Sequence, residues 1–360
     1  MSILPDAETF RRLADGSLSG PGPTLLRGGL AALAAPYAAA VMLRNSLYDA
    51  GLRRQWRAPL PVVSVGNLTL GGTGKTPLVA WVARELARQG RRPAVVSRGY
   101  GARAGHTSDE AAELAILLPG VPHVADRDRV AAATLAAGLE ADVAVLDDGF
   151  QHRRLRRDLD IVAIDATDPF GCDRLFPRGL LREPLAGLGR ADAIVLTRAD
   201  RVAEDRRSDI RSAVVHARKG RPPAAWLETR HAPVGVRHRD GTVEPLAPLA
   251  GRRVLAFCGI GNPAAFRHTL AALGVELAGF HSFTDHHHYS AADLDSLAHA
   301  ARTEAADLVI TTLKDLVRID RGQLADLPLA AVEIALEPLS EPEPLQALLA
   351  AAIRRGDHAA

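Results

Sequence analysis

Short apolar runs punctuate the chain between Leu60 and Leu196. Leu60-Pro61-Val62-Val63-Ser64-Val65, Pro93-Ala94-Val95-Val96-Ser97, Val143-Ala144-Val145-Leu146, Ile161-Val162-Ala163-Ile164 and Ala193-Ile194-Val195-Leu196 are too short for helices and show no polar alternation. Runs of that kind predict parallel strands buried on both faces. Between the first two, Leu78, Val79, Val82 and Leu86 fall on one helical face and Gly90 ends the helix. Strands alternating with helices predict an α/β fold: a doubly wound, mostly parallel sheet with ligand chemistry at the C-terminal ends of its strands. The rhythm breaks after residue 222. Ala225-Trp226-Leu227-Glu228-Thr229 and Val234-Gly235-Val236-Arg237-His238 precede the turn dipeptide Asp240-Gly241, so residues 223–250 read as a two-stranded linker. A second βα series starts at Arg253-Val254-Leu255-Ala256-Phe257, turns at Gly259-Ile260-Gly261-Asn262-Pro263 and resumes at Leu308-Val309-Ile310-Thr311. The expected division is an N-terminal helical segment over 1–57, a main α/β domain over 58–222, the linker, and a smaller α/β domain over 251–360 closed by a helix from Glu343 to Arg355.

The N-terminal segment differs in texture. Residues 28–43 form an uncharged, Ala-rich run between Arg27 and Arg44, with Pro36 inside it. A membrane-spanning helix needs roughly 20 apolar residues, and this run is shorter. Arg44, Arg53, Arg54 and Arg57 follow, close to Tyr48 and Trp56. Apolar surface beside arginines and aromatic rings suits a helix lying in a membrane interface, and suits equally a helix packed on the protein's own core. Polar residues after Met1, without a basic region leading into an apolar one, argue against a signal peptide. At 360 residues the chain has room for two domains, and 47% hydrophobic with 24% charged residues is ordinary for a globular protein. A net charge of +2 gives no reason to expect nucleic acid as a partner. Cys172 and Cys258 show no metal-ligand or redox spacing, which points to a reducing compartment without a disulfide.

The chemistry concentrates after the first strand. Ser64-Val-Gly-Asn-Leu-Thr-Leu-Gly71-Gly72-Thr73-Gly74-Lys75-Thr76-Pro77 joins a strand to a helix. Gly71, Gly72 and Gly74, with Thr73 between them, free backbone N–H groups to wrap an anion; Lys75 reaches terminal phosphates and Thr76 places a hydroxyl where Mg²⁺ sits. The following helix adds its positive end, and Pro77 suits a first turn. Thr69 stands where the usual first glycine belongs. This is a phosphate-binding loop (P-loop). Val143–Leu146 ends in Asp147-Asp148, where P-loop proteins hold Mg²⁺ with a carboxylate. Adjacent side chains on a strand point opposite ways, so the sequence leaves open which of the two faces the metal. Gly149-Phe150-Gln151-His152-Arg153-Arg154 follows; its arginines, with Arg98 and Arg129, read either as phosphate contacts or as a solvated basic face.

Asp147-Asp148-Gly149-Phe150-Gln151-His152 together with Ser64-Val65-Gly66-Asn67-Leu68 and the P-loop resembles the tetraacyldisaccharide 4'-kinase family, which phosphorylates a lipid A precursor. The resemblance runs from Arg44-Asn45-Ser46-Leu47-Tyr48-Asp49 to Thr312-Leu313-Lys314-Asp315 and includes Ser97-Arg98-Gly99-Tyr100, Leu181-Arg182-Glu183-Pro184 and Phe283-Thr284-Asp285-His286. It implies ATP and Mg²⁺ as cofactors and an acylated glucosamine disaccharide phosphate as lipid substrate. It also implies a peripheral enzyme at the cytoplasmic face of the inner membrane. By the resemblance, Lys75 and Thr76 serve the phosphates and metal, Asp147 and Asp148 are the metal-strand acids, and Lys75 and Asp148 join the catalytic set. Asp109 matches the acid of the family's Gly-Asp-Glu-Pro motif, with Ser108 and Ala111 as its flanks here, and His286 matches the histidine that acts with it. Arg98, Tyr100, Arg129, Gln151, His152 and Glu183 match further binding positions. Pro177-Arg178-Gly179-Leu180-Leu181 departs from the family's Pro-Ala-Gly-Pro-Leu.

Rival readings have their own residues. Asp285-His286-His287-His288 has the look of a transition-metal cluster. Leu196-Thr197-Arg198-Ala199-Asp200 loosely matches the signal by which GTPases read guanine, which favours a switch-type or metal-delivery NTPase. A kinase for a soluble sugar, with a purely structural N-terminal helix, is the third reading. Lys314-Asp315 reads as a structural ion pair.

Overall fold

The computed structural model describes residues 7–99 and 108–357, and Tyr100 lies outside them. The chain divides into two compact units, one of Met1–His106, Leu114–His231 and Leu336–Ala360, the other of Thr107–Glu113 and Ala232–Ala335. The helices are α1 (Ala7–Asp15), α2 (Pro21–Asp49), α3 (Lys75–Arg88), α4 (Asp109–Leu117), α5 (Arg129–Gly138), α6 (Glu204–Ala217), α7 (Pro263–Ala272), α8 (Ala291–Thr303), α9 (Leu313–Leu316) and α10 (Glu343–Asp357).

In the first unit, β1 (Val62–Asn67), β2 (Pro93–Ser97), β3 (His123–Ala125), β4 (Val143–Asp147), β5 (Leu159–Asp165), β6 (Ala193–Thr197) and the start of β7 (Ala225–His238) form a parallel sheet in the order β7-β6-β5-β1-β4-β2-β3. Every residue of β1, β2, β4, β5 and β6 is buried. That is the outcome the unalternating runs predict, because helices cover the sheet. Ala132, Ala133 and Ala136 of α5 pack on Val62, Val96 and Leu146, while Ile210 and Val214 of α6 pack with Val162, Ile194 and Leu196. β1 has β4, β2 and β3 on one side and β5, β6 and β7 on the other, so the strand order switches at β1 and the P-loop leaves from the switch point, where such sheets bind ligands.

In the second unit, β9 (Arg253–Cys258), β10 (Glu276–Ser282), β11 (Leu308–Thr312) and β13 (Leu327–Pro338) run parallel in the order β10-β9-β11-β13. β8 (Val243–Glu244) pairs antiparallel with the end of β7, and β12 (Gln323–Leu324) with the start of β13. Val254, Ala256, Leu308, Ile310, Ala330 and Val332 form its core with Phe266 and Leu270 of α7.

Three expected boundaries change. The turn at Asp240-Gly241 forms, with Gly241 at φ 93°, but β7 is one strand whose first residues belong to the first sheet, so 223–250 is not a detached linker. The C-terminal helix joins the first unit rather than the second: Leu345, Leu349, Ala352 and Ile353 of α10 are buried, and the helix packs against α3, β1 and β5. The N-terminal helix outruns the uncharged stretch, because flanking Arg27, Arg44 and Asn45 do not stop a helix. α2 spans 29 residues with Pro36 inside, and only Val41 in it is buried. A helix packed wholly on its own core does not match that exposure. Leu25, Leu26, Leu33, Met42 and Leu43 face outward, and by length and composition α2 is sufficient to cross a membrane. Its C-terminal half is tied to the first unit: Tyr37 Oη donates to Arg182 O at 2.7 Å and Arg153 Nη2 to Asp49 Oδ1 at 2.7 Å.

Leu349→Ala tests the return of α10. It removes a fully buried side chain, and denaturant unfolding is expected to show a loss of about 2–5 kcal/mol. A loss under about 0.5 kcal/mol would mark α10 as peripheral to the core.

Candidate active site

The P-loop is held from below. Asn67, at the end of β1 and fully buried, donates from Nδ2 to Thr69 O at 2.7 Å and to Thr73 Oγ1 at 2.9 Å. Leu68 to Leu70 pair with Leu180 to Arg182 in extended fashion: Leu70 N donates to Leu180 O at 2.8 Å and Arg182 N to Leu68 O at 2.7 Å. The loop therefore enters through an extended segment, which a threonine adopts freely, and Thr69 needs no glycine. Gly71 at φ 107° and Gly74 at φ 81° do need one. The His231 ring lies under Gly74, and a Cβ there would sit 2.4 Å from Nε2. Burial, then Arg198 and Arg201, keep His231 well below its ordinary pKa, so the ring is neutral.

Thr197 Oγ1 donates to Thr73 O at 2.9 Å and Arg198 Nη1 to Gly72 O at 3.2 Å, while Arg198 also pairs with Asp165. With the Thr73 carbonyl taken from that side, the trans peptide aims the Gly74 N–H the opposite way. The segment that resembled a guanine-reading signal thus braces the P-loop, and neither Thr197 nor Arg198 is left to contact a base.

At the ends of β1 and β4, Lys75 Nζ lies 3.6 Å from Asp148 Oδ1, and Arg182 Nη1 donates to both Asp148 oxygens at 2.8 Å. Burial alone would raise the Asp148 carboxyl, but the Lys75 and Arg182 charges outweigh it and hold it at about 2. Asp147 is nearly buried, and its carbonyl accepts from Arg129 Nη2 at 3.3 Å. Burial pushes Arg129 down, against the Asp148 and Asp147 carboxylates. His152 is pushed down to about 4 by burial and by Arg129, Arg157 and Arg154, and is neutral at pH 7. Arg98 is exposed at the end of β2, Arg154 pairs with Asp128, and Arg153 is buried against α2, where it donates to Asn45 O at 2.9 Å.

Glu183 is fully buried. It accepts from Arg190 Nη2 at 2.8 and 2.9 Å, Asn45 Nδ2 at 2.9 Å and Gln151 Nε2 at 2.9 Å, and Gln151 also donates to Asn67 O at 2.9 Å. Both Glu183 oxygens are occupied, so this residue holds other parts of the site in place.

The second unit assembles a separate constellation. His286 Nδ1 lies 3.2 Å from Asp109 Oδ2, and Arg318 Nη2 lies 2.7 Å from the same oxygen. Lys314 Nζ approaches His286 Nε2 at 3.1 Å and Asp285 Oδ1 at 3.1 Å. Each ring nitrogen thus meets a cation and a carboxylate: Nδ1 lies 3.2 Å from both Arg318 Nη2 and Asp109 Oδ2, and Nε2 lies 3.1 Å from Lys314 Nζ and 3.6 Å from Glu110 Oε1. Burial would raise the Asp109 carboxyl, but the hydrogen bonds from His286 and Arg318 and their charges hold it well below the usual range. Arg318 is itself held by the fully buried Asp315, which also accepts from Gly259 N at 3.0 Å and Thr312 Oγ1 at 2.6 Å. Lys314 and Asp315 therefore serve different partners, Asp285 with His286 and Arg318, and are not an ion pair. His287 turns away to Asp293, at 3.1 Å, and stacks on Phe283. Among the described residues no group of three or more His, Cys, Asp or Glu side chains is arranged to hold a metal ion, so the histidine run is not a metal cluster.

A family model for tetraacyldisaccharide-1-P 4'-kinase matches residues 26–354. The chain belongs to the tetraacyldisaccharide 4'-kinase family. A tetraacyldisaccharide 4'-kinase of Anaeromyxobacter sp. (strain Fw109-5) is 43% identical, over 99% of this chain and 98% of the relative. One from Geobacter metallireducens is 41% identical, over 88% of this chain and 95% of the relative. The crystal structure of LpxK from Aquifex aeolicus, described as an "apo" form in complex with ATP, matches with a TM-score of 0.72 and 32% identity over 91% of this chain and 99% of that one. The fold is accordingly of the P-loop NTPase type that the family shares.

The residues around the P-loop fit a magnesium nucleotide. Gly71 and Gly74 leave the cradle without a Cβ, and Thr76, Asp147 and Asp148 are oxygen donors. Mg²⁺ commonly takes one or two carboxylates and fills its sphere with phosphate oxygens and water. Arg190, His231 and Arg318 stand at no recognisable spacing and have no local signal in the sequence. Glu113 was legible in principle: it sits four residues after Asp109, on the same helical face. Burial pushes it up to about 7.

Arg318→Met leaves the fully buried Asp315 carboxylate without its cation, and unfolding at neutral pH is expected to show a loss of about 3–5 kcal/mol. The Asp109 carboxyl should titrate higher in the variant, by NMR. Because its folded pKa is depressed, the stability Asp109 contributes is present above the ordinary carboxylate range and lost as pH falls through the folded value. An unchanged Asp109 titration would contradict the assignment of Arg318.

Proposed function

We propose that this family member transfers the γ-phosphoryl group of MgATP to the 4'-hydroxyl of a tetraacyldisaccharide 1-phosphate, a step of lipid A biosynthesis, at the cytoplasmic face of the inner membrane. The observation that carries the reading is the presence in one chain of a P-loop lysine charge-paired with the metal-strand acid Asp148 and of a histidine-bound carboxylate at Asp109. The P-loop amides, Lys75 and Thr76 hold the nucleotide phosphates; Arg98 and Arg129 add positive charge beside them. Thr76 with Asp147 or Asp148 would hold Mg²⁺, which when bound would supply positive charge to the transferring group. Asp109 accepts the proton of the acceptor hydroxyl, and His286 fixes the carboxylate's orientation. A carboxylate as weakly basic as Asp109 suffices, because phosphoryl transfer proceeds through a loose transition state in which the acceptor oxygen bonds late. Gln151 and Glu183 support the phosphate site through hydrogen bonds and the Glu183–Arg190 ion pair, while His152 and Tyr100 are assigned to it by resemblance.

Lipid recognition is supported by α2. Its exposed leucines and the arginines at its C-terminal side, one of them stacked on Trp56 at 3.9 Å, suit acyl chains and lipid phosphates. Peripheral attachment at the interface fits a helix whose C-terminal half is hydrogen-bonded to the first unit.

Two measurements test the proposal. Transfer from γ-labelled ATP to tetraacyldisaccharide 1-phosphate in micelles is expected in the wild type and should fall about a hundredfold or more in Asp109→Ala. Undiminished transfer would move the base elsewhere; Glu113 is then the group to test. Changing Leu25, Leu26 and Leu33 together to Asp should release the protein from vesicles in flotation while ATP binding stays intact. Unchanged flotation would remove α2 from the membrane reading.

A further inference from the structure

The matched family region starts at residue 26, so α1 precedes it. α1 is nonetheless a docked element. Leu13 and Ala14 are buried, and Arg178 Nη1 donates to Ala14 O at 2.7 Å, in the last turn of the helix where a cation complements exposed carbonyls. Arg178 is also a position at which this chain departs from the family's Pro-Ala-Gly-Pro-Leu, and the arginine there holds the end of α1. Docked this way, α1 carries Arg11 to the P-loop: Arg11 Nη2 lies 3.6 Å from the point a Gly71 side chain would occupy. It pairs with Asp168 at 4.0 Å, with both side chains about one-third exposed (37% and 34%). A long exposed pair is the weakest kind and yields readily to a stronger anion.

Resting on the kinase reading above, we infer that α1 delivers Arg11 in cis to the terminal phosphate at the P-loop, as a second cation beside Lys75. In the transfer, the P–O bond to the leaving diphosphate breaks with its electron pair staying on ADP. The acceptor oxygen bonds phosphorus and its proton passes to Asp109. Arg11 exchanges no proton. Its guanidinium matches two phosphate oxygens at once and meets charge that spreads over the transferring group only as the bond loosens.

The test compares wild type, Arg11→Met and Arg11→Lys, with Arg12→Met as a control on the same helix. Affinity for ATP and for ADP with aluminium fluoride, a mimic of the loosened phosphoryl group, is measured by calorimetry, alongside kcat and thermal midpoint. Arg11→Met is expected to weaken the aluminium fluoride complex and lower kcat by about tenfold or more, while ATP affinity changes less than about threefold; lysine should recover part of the loss. Equal losses for both ligands, or none, would overturn the inference, as would the same loss in Arg12→Met. The binding comparison needs no acceptor. A wild type that holds ADP with aluminium fluoride yet leaves the lipid unphosphorylated sinks the lipid-kinase reading and leaves Arg11 to be judged on its own.

Discussion

A carboxylate with no exposed surface, Glu183, anchors much of the first unit. Burying a charge costs several kcal/mol unless cations and donors replace its water. Here the Arg190 guanidinium, the Asn45 amide and the Gln151 amide fill both oxygens. Each donor comes from a different element, so satisfying Glu183 fixes three things together. Asn45 binds α2 to the sheet. Gln151 joins the turn after Asp147 and Asp148 to Asn67, beneath the P-loop. Arg190 stacks on Phe150 at 4.5 Å, and the Phe150 Cβ would lie 2.6 Å from any Cβ at Gly66. The helix with its exposed apolar face and the phosphate loop thus share one electrostatic constraint.

What was legible in the sequence follows from the range of each interaction. The strands of the first unit were readable because burial on both faces forces continuous apolar runs, a local signal. The P-loop was readable because Gly71 and Gly74 meet a backbone requirement that few other residues meet. The return of α10 was not readable: an amphipathic helix states that it has a core face but not whose core it joins. β7 was split in two because Pro233 and the polar pair Arg230-His231 interrupt its pattern, although the strand runs through them. The pairing of Asp109 with His286 came from resemblance to a family, and the cations around it came from the fold alone.

Those cations set the character of the pair. Lys314 meets Nε2 of His286, and His286 and Arg318 both meet Oδ2 of Asp109. Crowding donors onto one oxygen orients the carboxylate and lowers its basicity together. For acyl transfer, where a base must activate a poor nucleophile early, that would be a poor arrangement. For phosphoryl transfer, alignment counts for more than basicity, and a carboxylate ionised throughout the physiological range needs no particular pH to act.

Departures from the general P-loop pattern and from the family's motifs are informative where the structure shows what stands in for the missing residue. Thr69 stands where a P-loop usually has its first glycine, and the tight turn that glycine makes is not made here, because Leu68 to Leu70 enter the loop paired with Leu180 to Arg182. Ser108 replaces a glycine before the first turn of α4, and its carbonyl accepts the Ala112 N–H at 2.9 Å, as a residue at a helix start should. Arg178 replaces an alanine and binds the end of α1. None of the three removes a group that touches phosphate or proton. Two alter how the chain approaches a site, and the third holds the end of α1. The loop, the metal-strand acids and the Asp109–His286 pair stand within those changed surroundings, which is the pattern expected when the chemistry is constrained and its supports are free to vary.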